Sequence, residues 1–214
     1  MKKLFFLLIP ALLVMTGCKK TGTSYEPVKS PEIFPLSIAY HWDFITTTYD
    51  TVKITHVNDV IKDTLIDGEK WFVLTYDHSV RTICRNNSSG WWFLYQAGPQ
   101  SPGTPSLYYR YPASVNEVYM TLDSTKVTVL SVNDIVTVPA GKFTCYRYHM
   151  IHYLEGYECD EYFSPGIGLV LHVIYAPGEG STKVVEVTEL ENFIRSLVIP
   201  IAGLMEGLYI SRPL

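Results

Sequence analysis

The stretch FTCYRYHMIHYLEGYECDEYFSPGIGLVLHVIY, residues 143–175, decides the fold. It reads as three short runs rich in Val, Ile, Tyr and Phe: Phe143 to His152, Tyr157 to Phe163 and Leu169 to Tyr175. β-Branched and aromatic side chains suit a pleated, half-buried surface, so each run predicts a strand. The breaks between them are turn chemistry. Leu154-Glu155-Gly156 interrupts the first pair, and in Ser164-Pro165-Gly166-Ile167-Gly168 the proline fixes one φ while Gly166 supplies the positive φ of a type II turn. Strands joined by such short links pair antiparallel.

The same grammar extends in both directions. Val138-Pro139-Ala140-Gly141-Lys142-Phe143 suits a type I turn, Asp67-Gly68 a tight hairpin, and Asn86-Asn87-Ser88-Ser89-Gly90 a longer one; Pro177-Gly178 with Gly180 makes another break. Further strands are expected at Tyr40 to Tyr49, Val52 to Val60, Lys70 to Tyr76, Val80 to Arg85, Trp91 to Gln96, Ser106 to Tyr111, Glu117 to Leu122, Lys126 to Val132 and Lys183 to Thr188. Residues 36–189 therefore read as a mainly β domain, an antiparallel meander forming a curved sheet or half-barrel. The loop Ala97 to Pro105 is its longest irregular piece and holds no titratable residue.

The two ends read differently. In residues 190–214, Leu190, Phe193, Ile194, Leu197, Val198, Ile201, Met205 and Leu208 recur at helical spacing, which predicts an amphipathic helix, kinked or shortened by Pro200, Gly203 and Gly207. At the other end, Lys2 and Lys3 precede an uncharged apolar run from Leu4 to Met15. That is a signal peptide, residues 1–17, because the run is well short of the roughly 20 residues a permanent span needs. Residues 18–35 are rich in Thr, Ser, Pro and Lys with no apolar period, as expected of a tether.

Met15-Thr16-Gly17-Cys18 resembles the lipobox of bacterial lipoproteins, with Met15 in place of the usual Leu. The resemblance implies cleavage before Cys18, a diacylglycerol on its thiol and further acylation with a chain such as palmitate, since stable anchoring needs more than one chain. Lys19 rather than Asp after the cysteine implies the outer membrane, on either face. A second resemblance covers residues 35–190: Val138 to Tyr148 and Tyr162 to Val170 are similar to a recurrent pattern of small envelope lipoproteins, of the form VPAGxFxCYxY followed by YFxPGIGLV. By fold analogy those proteins look like relatives of the LolA/LolB half-barrel, which imports a curved sheet but no catalytic set.

Composition narrows function by exclusion. Loss of Lys2 and Lys3 takes the formal charge from −4 to near −6 with no basic cluster, so nucleic acid is not an expected partner. There is no Gly-x-Ser-x-Gly elbow, His-Glu-x-x-His helix, phosphate loop or Cys-x-x-Cys pair, and no enzyme activity or cofactor is expected. The best metal candidate, Cys145 with His149, His152 and Cys159, fails because strand alternation sends His152 to the face opposite His149, so no metal is expected. Glu155, Glu158, Asp160 and Glu161 read as a solvated hairpin end. A dispersed hydrolase site built from His41, His78, His149 or His172 ranks last. Cys145 and Cys159 flank a hairpin and are the first choice for a disulfide, although a turn at Leu154-Glu155-Gly156 offsets them and leaves the pairing open.

Aromatic residues form 14% of the chain and concentrate at Trp91-Trp92-Phe93 and Tyr108-Tyr109-Arg110-Tyr111. Trp91, Trp92, Tyr108 and Tyr109 are the candidate ligand-binding residues, lining a hydrophobic cavity if the second sheet face is not filled as core. The expected role is non-enzymatic: a membrane-anchored lipoprotein binding a hydrophobic ligand or envelope partner. A surface glycan-binding or scaffold module is the alternative.

Overall fold

The computed structural model describes residues 32–49, 51–96, 103–178 and 180–195. The signal peptide, Cys18, most of the tether, residues 97–102 of the irregular loop and the C-terminal segment from residue 196 lie outside them.

Among the described residues, twelve strands form one antiparallel sheet. They are β1 (His41–Thr48), β2 (Val52–Ile66), β3 (Glu69–Tyr76), β4 (Val80–Asn87), β5 (Gly90–Tyr95), β6 (Thr104–Arg110), β7 (Val118–Met120), β8 (Thr125–Val138), β9 (Gly141–His152), β10 (Tyr157–Ser164), β11 (Gly168–Tyr175) and β12 (Val184–Ile194). The expected turns hold: Asp67 and Gly68 both take positive φ in the β2–β3 link, as does Gly166 between β10 and β11. Ser88 and Ser89 alone join β4 to β5, a tighter link than the five-residue turn expected.

The strand order is β6-β5-β4-β3-β2-β1-β12-β11-β10-β9-β8-β7. Two meanders are thus joined in the middle by their terminal strands, β1 and β12, and the sheet is cut between β6 and β7. It is not closed into a barrel, since those two strands share no ladder. Side chains bridge the cut instead. The Arg110 amide donates to the Tyr119 hydroxyl (3.1 Å), which donates to the Tyr108 carbonyl (2.8 Å), and the Leu122 amide donates to Ser106 Oγ (3.2 Å). Each bridge satisfies an edge group that would otherwise template another chain.

Leu190, Phe193 and Ile194, expected to open a helix, are the end of β12. The helical spacing has a β explanation. Asp43 pairs with Asn192 but Phe44 pairs with Leu190, so Glu191 is a bulge, and one extra residue resets the alternation. Leu190 and Phe193, three apart, therefore both face inward beside Phe44 and Trp42. The rest of the expected helix lies outside the described residues.

The tether also ends sooner than expected. Ile33 and Phe34 are buried in the core, with Phe34 against Trp42 and Trp91 at ring distances of 4.7 Å each. The Gly166 amide donates to the Glu32 carbonyl (2.7 Å) and Asn86 Nδ2 to the Phe34 carbonyl (2.7 Å), fixing the segment. Gly168 makes room for it: its φ is +100°, and a Cβ there would lie 2.9 Å from the Phe34 ring.

Candidate functional site

Inside the sheet lies a cavity of about 360 Å³, within the range of small-molecule sites. Its apolar wall is built on β5 and β6. Alternation turns Trp91 and Phe93 inward, and Trp91 stacks between Phe34 and Tyr109, the latter at 5.4 Å. A bulge between Trp91 and Trp92 adds a residue to β6, so that adjacent Tyr108 and Tyr109 both reach the cavity. Phe163, 4.4 Å from Tyr109, closes this wall. The rest of the lining is mainly polar: Thr46 and Thr188 share a hydrogen bond (2.7 Å), His56 Nδ1 meets Asp77 (2.8 Å), and Glu161 and His172 project from β10 and β11.

The innermost polar groups come from one strand register. Glu161 is directly opposite His172 in the β10–β11 ladder, and Tyr157, Cys159 and Glu161 alternate onto the inner face of β10, opposite His152, Met150 and Tyr148. Tyr109 donates a short hydrogen bond to Glu161 Oε2, and Oε1 faces His172 Nε2 at 3.9 Å. His172 Nε2 is buried and has no hydrogen-bond partner among the described residues. Cys159 Sγ is 3.6 Å from His152 Nε2, whose ring is held through Nδ1 by Thr125 (3.0 Å). Cys159 Sγ, a Glu161 oxygen and a His172 nitrogen all lie within 4.8 Å of one another, a grouping of metal-ligand atom types among the described residues.

Burial sets the protonation of this wall. It pushes the Tyr109 hydroxyl far above its ordinary value, with the Glu161 charge adding to the effect, so the phenol stays a neutral donor. Burial likewise raises the Cys159 thiol, again with help from Glu161, and lowers His152. A thiol kept neutral is a poor nucleophile.

The outer face of β10 is organised otherwise. Asp160, 1% exposed, accepts from Arg147 Nε (3.1 Å) and Nη2 (2.5 Å), His149 Nδ1 (2.8 Å) and the Tyr175 hydroxyl (2.6 Å). Burial pushes its carboxyl up, but the bonds from His149, Tyr175 and Arg147 outweigh that and hold it below the ordinary value. The expected solvated acidic cluster is therefore divided: only Glu155 is exposed, Asp160 is a buried ion-pair centre, and Glu161 points inward.

Of the four aromatic candidates, Trp91, Tyr108 and Tyr109 line the cavity. Trp92 does not. It sits on the other face, its Nε1 donating to Asn87 Oδ1 (2.9 Å) and Ser89 Oγ (3.2 Å). The disulfide between Cys145 and Cys159 is absent: both are free, buried thiols, as is Cys84. Cys159 pairs with Met150, five residues along β9 from Cys145. At about 3.3 Å per residue that offset far exceeds the roughly 6 Å between the Cα atoms of a disulfide. The four histidines of the dispersed hydrolase site do not converge either: His41 and His78 share Asp59, His149 lies on the outer face and His172 in the cavity. Glu161 escaped sequence reading as a site residue because it stands in an acidic run, although strand alternation sets it and Cys159 on the face opposite Asp160.

Neither a protein-family model nor a curated protein matches the chain. Among solved structures it is similar to a Bacteroides fragilis protein, assigned as exported and having a YmcC-like fold, at 15% identity over 77% of this chain and 100% of that one, with a TM-score of 0.50. It is also similar to a Parabacteroides distasonis protein assigned as a lipoprotein, at 14% identity over 77% of this chain and 99% of that one, with a TM-score of 0.46. At such identity the likeness is one of fold.

Proposed function

We propose that the chain is a lipid-anchored envelope protein without enzymatic activity, held in the outer membrane through Cys18, whose cavity binds an amphiphile. The observation that carries this reading is the cavity's mixed lining. Trp91, Tyr109, Phe163 and Phe34 offer aromatic surface to an apolar body, while Glu161, His172, Thr46 and Thr188 offer fixed polar groups to a head group. Export and lipidation are supported by the signal sequence and the Cys18 motif, and the assignment of the Bacteroides fragilis structure as an exported protein accords with export.

Two substitutions test it. Cys18→Ser should move the chain from the detergent phase to the aqueous phase on phase partitioning; unchanged partition refutes the anchor. The Cys18→Ser chain, purified without detergent, should carry an extractable amphiphile or take up a fluorescent apolar probe, and adding Leu169→Trp, which fills the cavity, should abolish both. Absence of ligand and probe from the unfilled chain, or equal uptake by the filled one, refutes the cavity.

A further inference from the structure

The inner wall of β10 and β11 gathers three ligand-type side chains, one of which, His172, has its buried Nε2 without a hydrogen-bond partner among the described residues. Cys159 Sγ, Glu161 and His172 offer atoms that are mutually within 4.8 Å. Two atoms bound to one zinc at about 2.0–2.3 Å stand about 3.3–3.6 Å apart at tetrahedral angles. Glu161 Oε1 and His172 Nε2, at 3.9 Å, need to close by only a few tenths of an ångström. His172 Nε2 is buried without a hydrogen-bond partner among the described residues, a state that costs about 1–3 kcal/mol and that coordination would relieve.

The supports of a metal site are present as well. Tyr109 holds Glu161 by Oε2 and leaves Oε1 turned toward His172. Glu161 and His172 are ladder partners, and Cys159 precedes Glu161 by two on the same face, so all three stand on paired strands rather than on loops. Thiolate, imidazole and carboxylate together select zinc over magnesium or calcium. Glu161 and His172 line the cavity while Cys159 is fully buried behind them.

We infer that Cys159, Glu161 and His172 form a zinc site in the cavity wall, three protein ligands with the fourth position open to the cavity for water or an anionic oxygen. Binding replaces the Cys159 S–H bond by a sulfur–zinc bond and releases one proton to solvent, with no change of oxidation state. The site uses one of the four residues of the cysteine–histidine set judged unsuitable from sequence spacing: Cys159 serves, while His149 faces Asp160 outside and Cys145 lies five residues away along the ladder.

The full chain in nonionic detergent, stripped by chelator and titrated with zinc, should bind about one equivalent, and cobalt in its place should give a thiolate-to-metal charge-transfer band. Cys159→Ser should remove the band; Cys84→Ser and Cys145→Ser should keep it. Glu161→Gln and His172→Gln, close in shape to the originals, should weaken zinc binding by at least about tenfold without changing the circular dichroism of the stripped chain. If Cys159→Ser does not fold, these two carry the test. No stoichiometric uptake, a band that survives Cys159→Ser or vanishes with Cys145→Ser, or unchanged affinity in both glutamine variants would overturn the site. Equilibrium dialysis and absorbance read the metal whether or not the cavity takes an amphiphile.

Discussion

The two faces of β10 carry the same chemistry in opposite states. Outside, the Asp160 carboxylate is buried and receives bonds from Arg147, His149 and Tyr175. Inside, Glu161 receives one bond, from Tyr109, while His172 Nε2 across from it is buried and unpartnered. A saturated cluster is complete as it stands, so its work is to hold strands β9, β10 and β11 together. An unsaturated cluster spends stability, and a fold keeps such a cost where something else is to bind. Function is thus assigned to the face with the poorer bonding.

The two faces should differ most in response at Asp160. Asp160→Asn removes the charge that Arg147 and His149 were paired with, and breaking a buried pair in this way costs about 3–5 kcal/mol; the low end is expected because Arg147 is a third exposed and water screens it. Denaturant midpoints should show this loss with metal binding intact. Glu161→Gln, by contrast, should cost the stripped chain less than about 1 kcal/mol, since the amide oxygen still accepts from Tyr109. Equal losses at both positions would erase the distinction between the faces. Tyr175→Phe, which takes away a single bond to Asp160, should fall between them at about 1–1.5 kcal/mol.

Much of the fold was legible, and the failures have a common cause. The strand segments were readable because runs of strand-forming residues alternate with turn residues, and at several links the φ requirements are met by Gly, Pro or Asp, as at Asp67-Gly68 and Pro165-Gly166; at others Tyr49, His78 or Ser124 takes the positive φ. Strand order was not, because nothing local says that β1 and β12 pair or that the cut falls between β6 and β7. Bulges defeated the rest. The one at Glu191 gave a strand the spacing of a helix, and the one opposite Trp91 put Tyr108 and Tyr109 on one face while Trp92 went to the other. The candidate site was half visible for the same reason: its aromatic wall follows from composition, whereas Cys159, Glu161 and His172 meet only through a ladder register that sequence does not state.

A third cluster, at the start of β1, tests whether saturation is the right criterion. His41 lies with Nδ1 2.6 Å from Asp59 and Nε2 2.6 Å from Asp43; Asp59 also faces His78 Nδ1 (3.2 Å), and Asp43 receives Asn192 Nδ2 (3.3 Å). Burial disfavours the His41 cation, but hydrogen bonds to Asp59 and Asp43 outweigh it and raise the pKa above 6.5. A raised histidine pKa contributes stability that is fully present below the unfolded value, near 6.5, and is lost as pH rises through the folded value. The stability difference between wild type and His41→Gln should therefore be largest at about pH 6 and should shrink on going to pH 8 and above. Its size should be a few tenths of a kcal/mol to about 1 kcal/mol, as for partly exposed pairs, and zinc affinity should not change. Because both ring nitrogens are already satisfied, His41 has a structural part alone. A difference that grows with pH, or a loss of metal with His41→Gln, would mean that bonding completeness does not separate scaffold from site in this protein.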